Sequence, residues 1–210
     1  MAWTNEQLAD VVATDIEDGW FVNLGVGLPT LVAERLVGRP VLVHSENGIL
    51  GVGPPPPAGQ EDPDIVDPGK NPVTIVPGAA YMDSLLSFSI IRGGHLDLSV
   101  MGAFQVSGNG DLANWRLPGR RVGGIGGAAD LAAGSRRVWV MTTHSTKDGD
   151  PKLVRECTYP LTAVRVVTRV YSDLAVLDVA GGRFRAIRLA PGVTRDEVRE
   201  RTGADLELAV

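Results

Sequence analysis

Short apolar runs that end in glycine recur along this chain, and they alternate with helical patterns. Thr4-Asn5-Glu6-Gln7 has the form of a capping box, with Leu8, Val11, Val12 and Ile16 following at helical spacing up to Gly19. Trp20 to Leu24 reads as a buried strand closed by Gly25-Val26-Gly27. Pro29 then opens a helix over Thr30 to Val37, and Pro40 to Val43 reads as a second buried strand. Helix, strand, helix, strand, with glycine turns at the strand ends, predicts an α/β fold: an open, mixed, largely parallel sheet with flanking helices.

The alternation continues with a strand at Val73 to Val76 and a helix over Tyr81 to Ile91 closed by Gly93-Gly94. Leu96 to Gln105 is strand-like, Ala128 to Ala133 reads as a short helix, and Val138 to Met141 as a buried strand. Beyond Pro160 the chain turns β-rich, with strands at Val164 to Val170, Leu174 to Val179 and Arg183 to Leu189. A last capping box at Thr194 to Glu197 opens a helix ended by Gly203. No repeat at a fixed period is present, and residues 1–210 read as one domain. Residues 51–72 contain Pro54 to Pro57 and the acids Glu61, Asp62, Asp64 and Asp67, and read as a linker or a long ordered loop.

Composition narrows the function classes. Hydrophobic residues make up 44% and charged residues 21%, which is globular rather than disordered, so the 26 glycines and 14 prolines belong in tight loops. A net charge of −5 without a Lys/Arg cluster argues against a nucleic-acid or membrane surface. No apolar stretch approaches the roughly 20 residues needed to span a bilayer. Met1 to Glu6 has no basic segment before an apolar core, so a secretory leader is not expected. The single Cys157 excludes an internal disulfide framework and cannot alone supply a thiolate zinc site. A cytoplasmic location is the expectation.

Ser45-Glu46-Asn47-Gly48 is the strongest local candidate for chemistry. A glutamate directly after a buried strand, at a glycine turn, stands where open α/β sheets place their ligands. It can act as nucleophile or general base, with Ser45 and Asn47 hydrogen-bonding it, or the tetrad can simply be a turn. Gly123-Gly124-Ile125-Gly126-Gly127 offers backbone amides before a helix and suits an oxyanion, a phosphate or close packing. A dinucleotide reading of Gly124, Gly126 and Ala129 is weak, because no buried strand precedes it. His44, His95 and His144 share no metal-ligand spacing, so no metal site is expected, and His44 is expected on the face opposite Glu46. His144 beside Ser145 does not make a triad. Lys70 reads as a pocket cation or a solvated lysine, Asn23 as a pocket or a structural asparagine, and Cys157 as a small buried hydrophobe.

Val43-His44-Ser45-Glu46-Asn47-Gly48-Ile49-Leu50-Gly51 resembles the active-site motif of the β subunit of family I CoA-transferases. The likeness runs through Gly25 to Thr30, Arg92 to Asp97, Gly102 to Ser107, Gly110 to Trp115, Gly126 to Ala128, Thr146 to Gly149 and Ala190 to Thr194, and so covers the chain in order. It implies transfer of CoA between an acyl-CoA and a carboxylic acid, with Glu46 as the nucleophile and a glutamyl-CoA thioester formed by ping-pong kinetics. It implies Gly127, with Gly126, at the oxyanion. Asn23, Ser45, Asn47, Gly48 and Lys70 would line the substrate and CoA pocket. Coenzyme A would be a substrate, with no permanently bound cofactor and no metal. The partner implied is an α subunit carrying a Gly-Gly-Phe motif, a tripeptide this chain lacks, in a heterodimer or heterotetramer.

Gly102 to Ser107 resembles the 3-oxoacid and 3-oxoadipate enzymes that use succinyl-CoA. Gly108-Asn109 and Trp115 to Gly119 depart from that pattern, so both 3-oxoadipate and acetoacetate stay open as acceptors, the former ahead. The alternatives are an acyl-CoA hydrolase with Glu46 as general base and a non-catalytic CoA-binding module.

Overall fold

The computed structural model describes residues 1–119 and 124–210. Gly123, where the glycine-rich run begins, and Arg120-Arg121 before it lie outside the described residues.

The capping box forms as the sequence predicts. Thr4 Oγ1 accepts from Gln7 N–H at 3.2 Å, Gln7 Oε1 accepts from Thr4 N–H at 3.0 Å, and α1 spans Asn5–Asp15. Strand β1 (Phe21–Leu24) follows. The Leu28–Leu36 segment is a 3-10 helix rather than an α-helix: Thr30 turns both its N–H (3.0 Å) and its hydroxyl (2.7 Å) back to the Gly27 carbonyl three residues earlier, which sets the tighter register. The chain then runs through β2 (Leu42–Ser45), β3 (Ile49–Val52), β4 (Ile75–Tyr81), α2 (Ser84–Arg92), β5 (Leu98–Met101), β6 (Gln105–Ser107) and β7 (Leu112–Ala113). It continues through α3 (Ala128–Gly134), β8 (Val138–Thr142), β9 (Leu153–Val154), β10 (Val167–Ser172), β11 (Ala175–Ala180), β12 (Arg183–Leu189), α4 (Arg195–Arg201) and β13 (Leu206–Leu208).

Ten strands form one sheet in the order β13-β12-β11-β10-β8-β5-β1-β2-β3-β4. The inner run β10-β8-β5-β1-β2 is parallel throughout, and the antiparallel pairs β2-β3, β3-β4, β10-β11 and β11-β12 flank it. This is the mixed, largely parallel sheet with a β-rich C-terminal part that the sequence predicts. Both faces are buried, so the central strands read as unbroken apolar runs. Along β8, Val138 and Val140 join one core cluster with Ile91 of α2 and Leu131 of α3, while Trp139 and Met141 join the other with Leu8 and Val12 of α1. The two-residue period thus separates an α2/α3 layer from an α1 layer.

One segment departs from the expected strands, and the two readings left open for residues 51–72 resolve to the ordered loop. Leu96 to Gln105 is not one strand: the chain leaves the large sheet at Gly102, and β6 joins a small sheet in the order β7-β6-β9. Thr142 Oγ1 donating to Ala103 O (3.2 Å) and Asn114 Nδ2 donating to Gly102 O (3.1 Å) hold that exit. Residues 53–74 are an ordered loop that returns to its own strand pair. Its ends are joined by Gly53 N–H to Thr74 O at 2.8 Å and Thr74 N–H to Pro54 O at 2.9 Å, and the Val73 N–H reaches Ile65 O at 3.1 Å.

Candidate active site

Strands β1, β2, β5 and β8 are parallel, so their C-terminal ends meet along one edge of the sheet. β1 pairs with β2 on one side and β5 on the other, and the connections leaving that edge diverge. A cavity of about 700 Å³ opens there, lined by Gly25, Glu46, Gly102, Gly127, Thr142 and Lys152 among others.

Glu46 is half-buried, directly after the last residue of β2, where the chain turns into β3. The turn demands glycine at position 48: φ is +119°, and a Cβ there would lie 2.2 Å from the Met82 carbonyl oxygen. The carboxylate is held by Asn23, whose Nδ2 donates to Oε2 at 3.0 Å. Asn23 is fully buried in the middle of β1, in register with His44 of β2. Its neighbours Val22 and Leu24 face the α1 layer, which turns Asn23 toward α2.

Ser45 and Asn47 do not reach the carboxylate. Ser45 Oγ donates to Asn47 Oδ1 at 2.5 Å, and Asn47 Nδ2 donates to Val66 O at 2.7 Å, so the pair ties the turn to the long loop. The expectation that they hydrogen-bond Glu46 is corrected: their polar atoms serve the turn, and Asn23 supplies the donor instead.

His44 also corrects the sequence reading. It lies two residues before Glu46, and a two-residue separation puts both side chains on the same face of a strand. Accordingly Asn23 Nδ2 contacts both, lying 3.4 Å from His44 Nδ1. His44 Nε2 is 3.0 Å from Ser87 Oγ on α2, and Ser87 Oγ donates to the main-chain carbonyl of Glu46 at 2.9 Å. Burial lowers the His44 pKa to about 4, so the ring is neutral at ordinary pH.

Gly127 closes the other side. A Cβ on it would press on Phe88 Cζ of α2 at 3.1 Å and sit in ordinary contact with Glu46 Cγ at 3.6 Å, so α3 begins beside the catalytic candidate's side chain. Gly126 precedes it in the left-handed region with φ +58°. The sequence places Glu46, Asn23, Gly126 and Gly127 at one site, and the structure brings them together. Lys70 stands apart: it is exposed at the tip of a turn with φ 65°, and Pro68, two residues before it, lines the cavity.

One cation in the cavity wall has no signal in the sequence. Lys152, half-buried, donates to Thr142 Oγ1 (3.1 Å) and Thr143 Oγ1 (2.8 Å), and burial lowers its pKa while Asp173 opposes the shift. Among the described residues no three His, Cys, Asp or Glu side chains gather as a metal site. Among them, too, no helix is long and apolar enough to cross a membrane. Cys157 is partly buried, its thiol pushed up to about 12 chiefly by burial and next by Asp111.

Comparison with known proteins places this edge of the sheet in context. The chain is 49% identical to the B subunit of the 3-oxoadipate CoA-transferase of Pseudomonas putida, covering 95% of this chain and 94% of the relative. It is 48% identical to the B subunit of a probable succinyl-CoA:3-ketoacid coenzyme A transferase of Bacillus subtilis (93% and 91%). To the beta subunit of the acetate CoA-transferase of Escherichia coli it is 44% identical (97% and 94%). Among solved structures, the acyl-CoA transferase YdiF of Escherichia coli O157:H7 superposes with a TM-score of 0.78 at 19% identity, over 99% of this chain and 42% of YdiF. This chain therefore spans under half of that longer protein. Glutaconate coenzyme A-transferase of Acidaminococcus fermentans (TM-score 0.73, 18% identity, 98% and 86%) and a variant of the decarboxylase AibA/AibB (0.71, 20%, 98% and 85%) share the fold. Residues 5–201 match the family described as Coenzyme A transferase. With that match over nearly its whole length and relatives named CoA-transferases at 48–49% identity, the chain belongs to the coenzyme A transferase family.

Proposed function

We propose that this chain is the β subunit of a CoA-transferase that moves CoA from succinyl-CoA to a 3-oxo acid through a covalent intermediate on Glu46. The observation that carries the reading is the setting of that side chain. A half-buried carboxylate stands at the C-terminal edge of the parallel strands, with an amide donor on Oε2 and Gly127 lining the same cavity. The fold alone would not suffice, since a decarboxylase shares it.

Glu46 attacks the thioester carbonyl of the acyl-CoA. The C–S bond breaks, and CoA thiolate leaves behind a mixed acyl-glutamyl anhydride. The thiolate then attacks the glutamyl carbonyl, the anhydride C–O bond breaks, and the free acid departs as its carboxylate, leaving a glutamyl-CoA thioester. The acceptor acid runs the same steps in reverse. Carboxylates exchange for carboxylates, so the two halves are nearly balanced and no nucleotide is consumed. Ping-pong kinetics follow from the covalent state. The backbone N–H of Gly127 is assigned to the developing oxyanion, and Lys70 and Lys152 to the anionic parts of the substrates.

The relatives' names divide between 3-oxoadipate, 3-ketoacids and acetate at similar identity, so identity does not choose the acid. We assign 3-oxoadipate ahead of acetoacetate. The partner we assign is an α subunit, in keeping with the relatives' designation as B subunits, and the location cytoplasmic. The assembled enzyme, given succinyl-CoA and a panel of acids, will form acyl-CoA only when an acceptor is present. Acceptor-independent release of succinate at an equal rate would favour a hydrolase with Glu46 as general base, and CoA binding without exchange would favour a binding module.

A further inference from the structure

Hydrogen bonds around Glu46 close a ring that begins and ends on that residue. A main-chain carbonyl only accepts, so the single hydroxyl proton of Ser87 is committed to Glu46 O at 2.9 Å. Ser87 Oγ is then an acceptor toward His44 Nε2 at 3.0 Å, which places the ring proton on Nε2. A neutral ring with Nε2 protonated keeps a lone pair on Nδ1, and this faces Asn23 Nδ2 at 3.4 Å. The same Nδ2 also meets His44 O at 3.1 Å and Glu46 Oε2 at 3.0 Å. Three acceptors converge on that position, so only the NH2 end of the amide fits there.

The arrangement leaves a mark at the other end of the amide. Asn23 Oδ1 is buried and has no hydrogen-bond partner among the described residues. An unpaired buried acceptor is costly, so the orientation is imposed by the ring rather than by the surroundings of Oδ1.

We propose that His44 and Ser87 are positioning residues of the transfer reaction, holding the Asn23 amide with its N–H toward the Glu46 carboxyl through every covalent state of that group. The inference rests on the reading of Glu46 as nucleophile. In the carboxylate, the N–H bonds Oε2. In the anhydride and the thioester, the same N–H points at the carbonyl oxygen that Glu46 retains, and it receives the charge that develops there when a thiolate or carboxylate attacks. A reversed amide would set oxygen against oxygen at each of these stages. The Ser87 bond to the Glu46 carbonyl fixes the main chain from which the carboxyl projects.

The test uses the assembled enzyme carrying His44→Leu, Ser87→Ala or His44→Gln. Glutamine keeps one donor for Ser87 and one acceptor for Asn23, so it can reproduce the ring. We expect Leu and Ala to lower kcat on the order of 10–100-fold with KM for the acyl-CoA held within about twofold, and Gln to restore most of kcat. His44→Leu with undiminished kcat, or a loss confined to KM, would overturn the proposal. So would histidine ¹⁵N spectra of the unsubstituted enzyme showing His44 protonated on Nδ1, a readout independent of how the variants fold. Borohydride trapping of the unsubstituted enzyme separates the two ideas. A Glu46 thioester together with fully active variants removes only the ring, whereas no trapped species at Glu46 removes the nucleophile and the ring together.

Discussion

The protein buries two histidines of nearly identical character, and their hydrogen bonds lead to different places. Both rings are almost fully inaccessible, and burial lowers the pKa of each to about 4. Both contact side-chain hydroxyls. At His144, Nδ1 is 2.8 Å from Ser172 Oγ and Nε2 is 2.9 Å from Thr202 Oγ1. Main-chain carbonyls of Ala175 and Val198 lie 3.0 and 2.7 Å from the same hydroxyls, and the neutral ring, with one donor and one acceptor nitrogen, gives a proton to one hydroxyl and takes one from the other. His144 is a strut between β8, β10 and the end of α4. At His44 the path through Ser87 and Asn23 returns to a carboxylate. Burial and a depressed pKa are therefore common to a structural histidine and to one at the site, and the destination of the hydrogen bonds tells them apart.

Substitutions should separate the two histidine networks, with the largest effect at Asn23. Asn23→Leu removes the donor to Glu46 Oε2 and leaves His44 Nδ1 facing an apolar group. Steady-state kinetics of the assembled enzyme should show kcat lowered on the order of 100-fold. Next is His144→Leu, which should cost about 2 kcal/mol of stability in denaturant titrations, as two hydroxyls lose a buried partner, while kcat of the folded enzyme stays unchanged. The same change at His44 should cost activity first.

A smaller effect sharpens the pairing. Both folded-state values lie below the ordinary 6.5 of histidine, so the unfolded chain takes up protons that the folded chain refuses. Stability is then fully present above about pH 6.5 and falls as pH drops toward 4, by about 1.4 kcal/mol per pH unit for each ring. Unfolding titrations across that window should lose half of this slope in His44→Gln and half in His144→Gln. An unchanged slope in either would show that ring to be protonated in the folded protein.

Much of the fold was legible because its signals are local. The capping box at Thr4, the glycine turns after β1 and β2, and the continuous apolar runs of the central strands each follow from neighbours in sequence. Of the strands that the sequence does not show, β7, β9 and β13 are two or three residues long, too short to carry a period, and β3 is a four-residue strand interrupted by Gly51 at φ +94°. At the site, Glu46 was visible from its place after a strand, and Asn23 from the polar break it makes in an apolar run. Ser87 was not, because it reaches His44 from a helix 43 residues away, and nothing in Ser84 to Arg92 marks one serine above another. Lys152 was hidden for a similar reason, since only the fold carries it to the ends of β5 and β8. His44 was legible and misread: the spacing of two that places it beside Glu46 was present in the sequence.

Covalent catalysis at this site requires the Glu46 carboxylate to bond first to the acyl group and then to CoA. The most direct measurement incubates the assembled enzyme with succinyl-CoA in the absence of acceptor, reduces it with borohydride, and maps the product by peptide mass spectrometry. Residue 46 alone should be converted from the acid to the alcohol, with loss of activity in proportion, and Glu46→Asp, one methylene short, should neither label nor turn over at the normal rate. An enzyme that keeps its transferase activity after borohydride treatment with an unmodified Glu46, or a fully active Glu46→Asp, would contradict it.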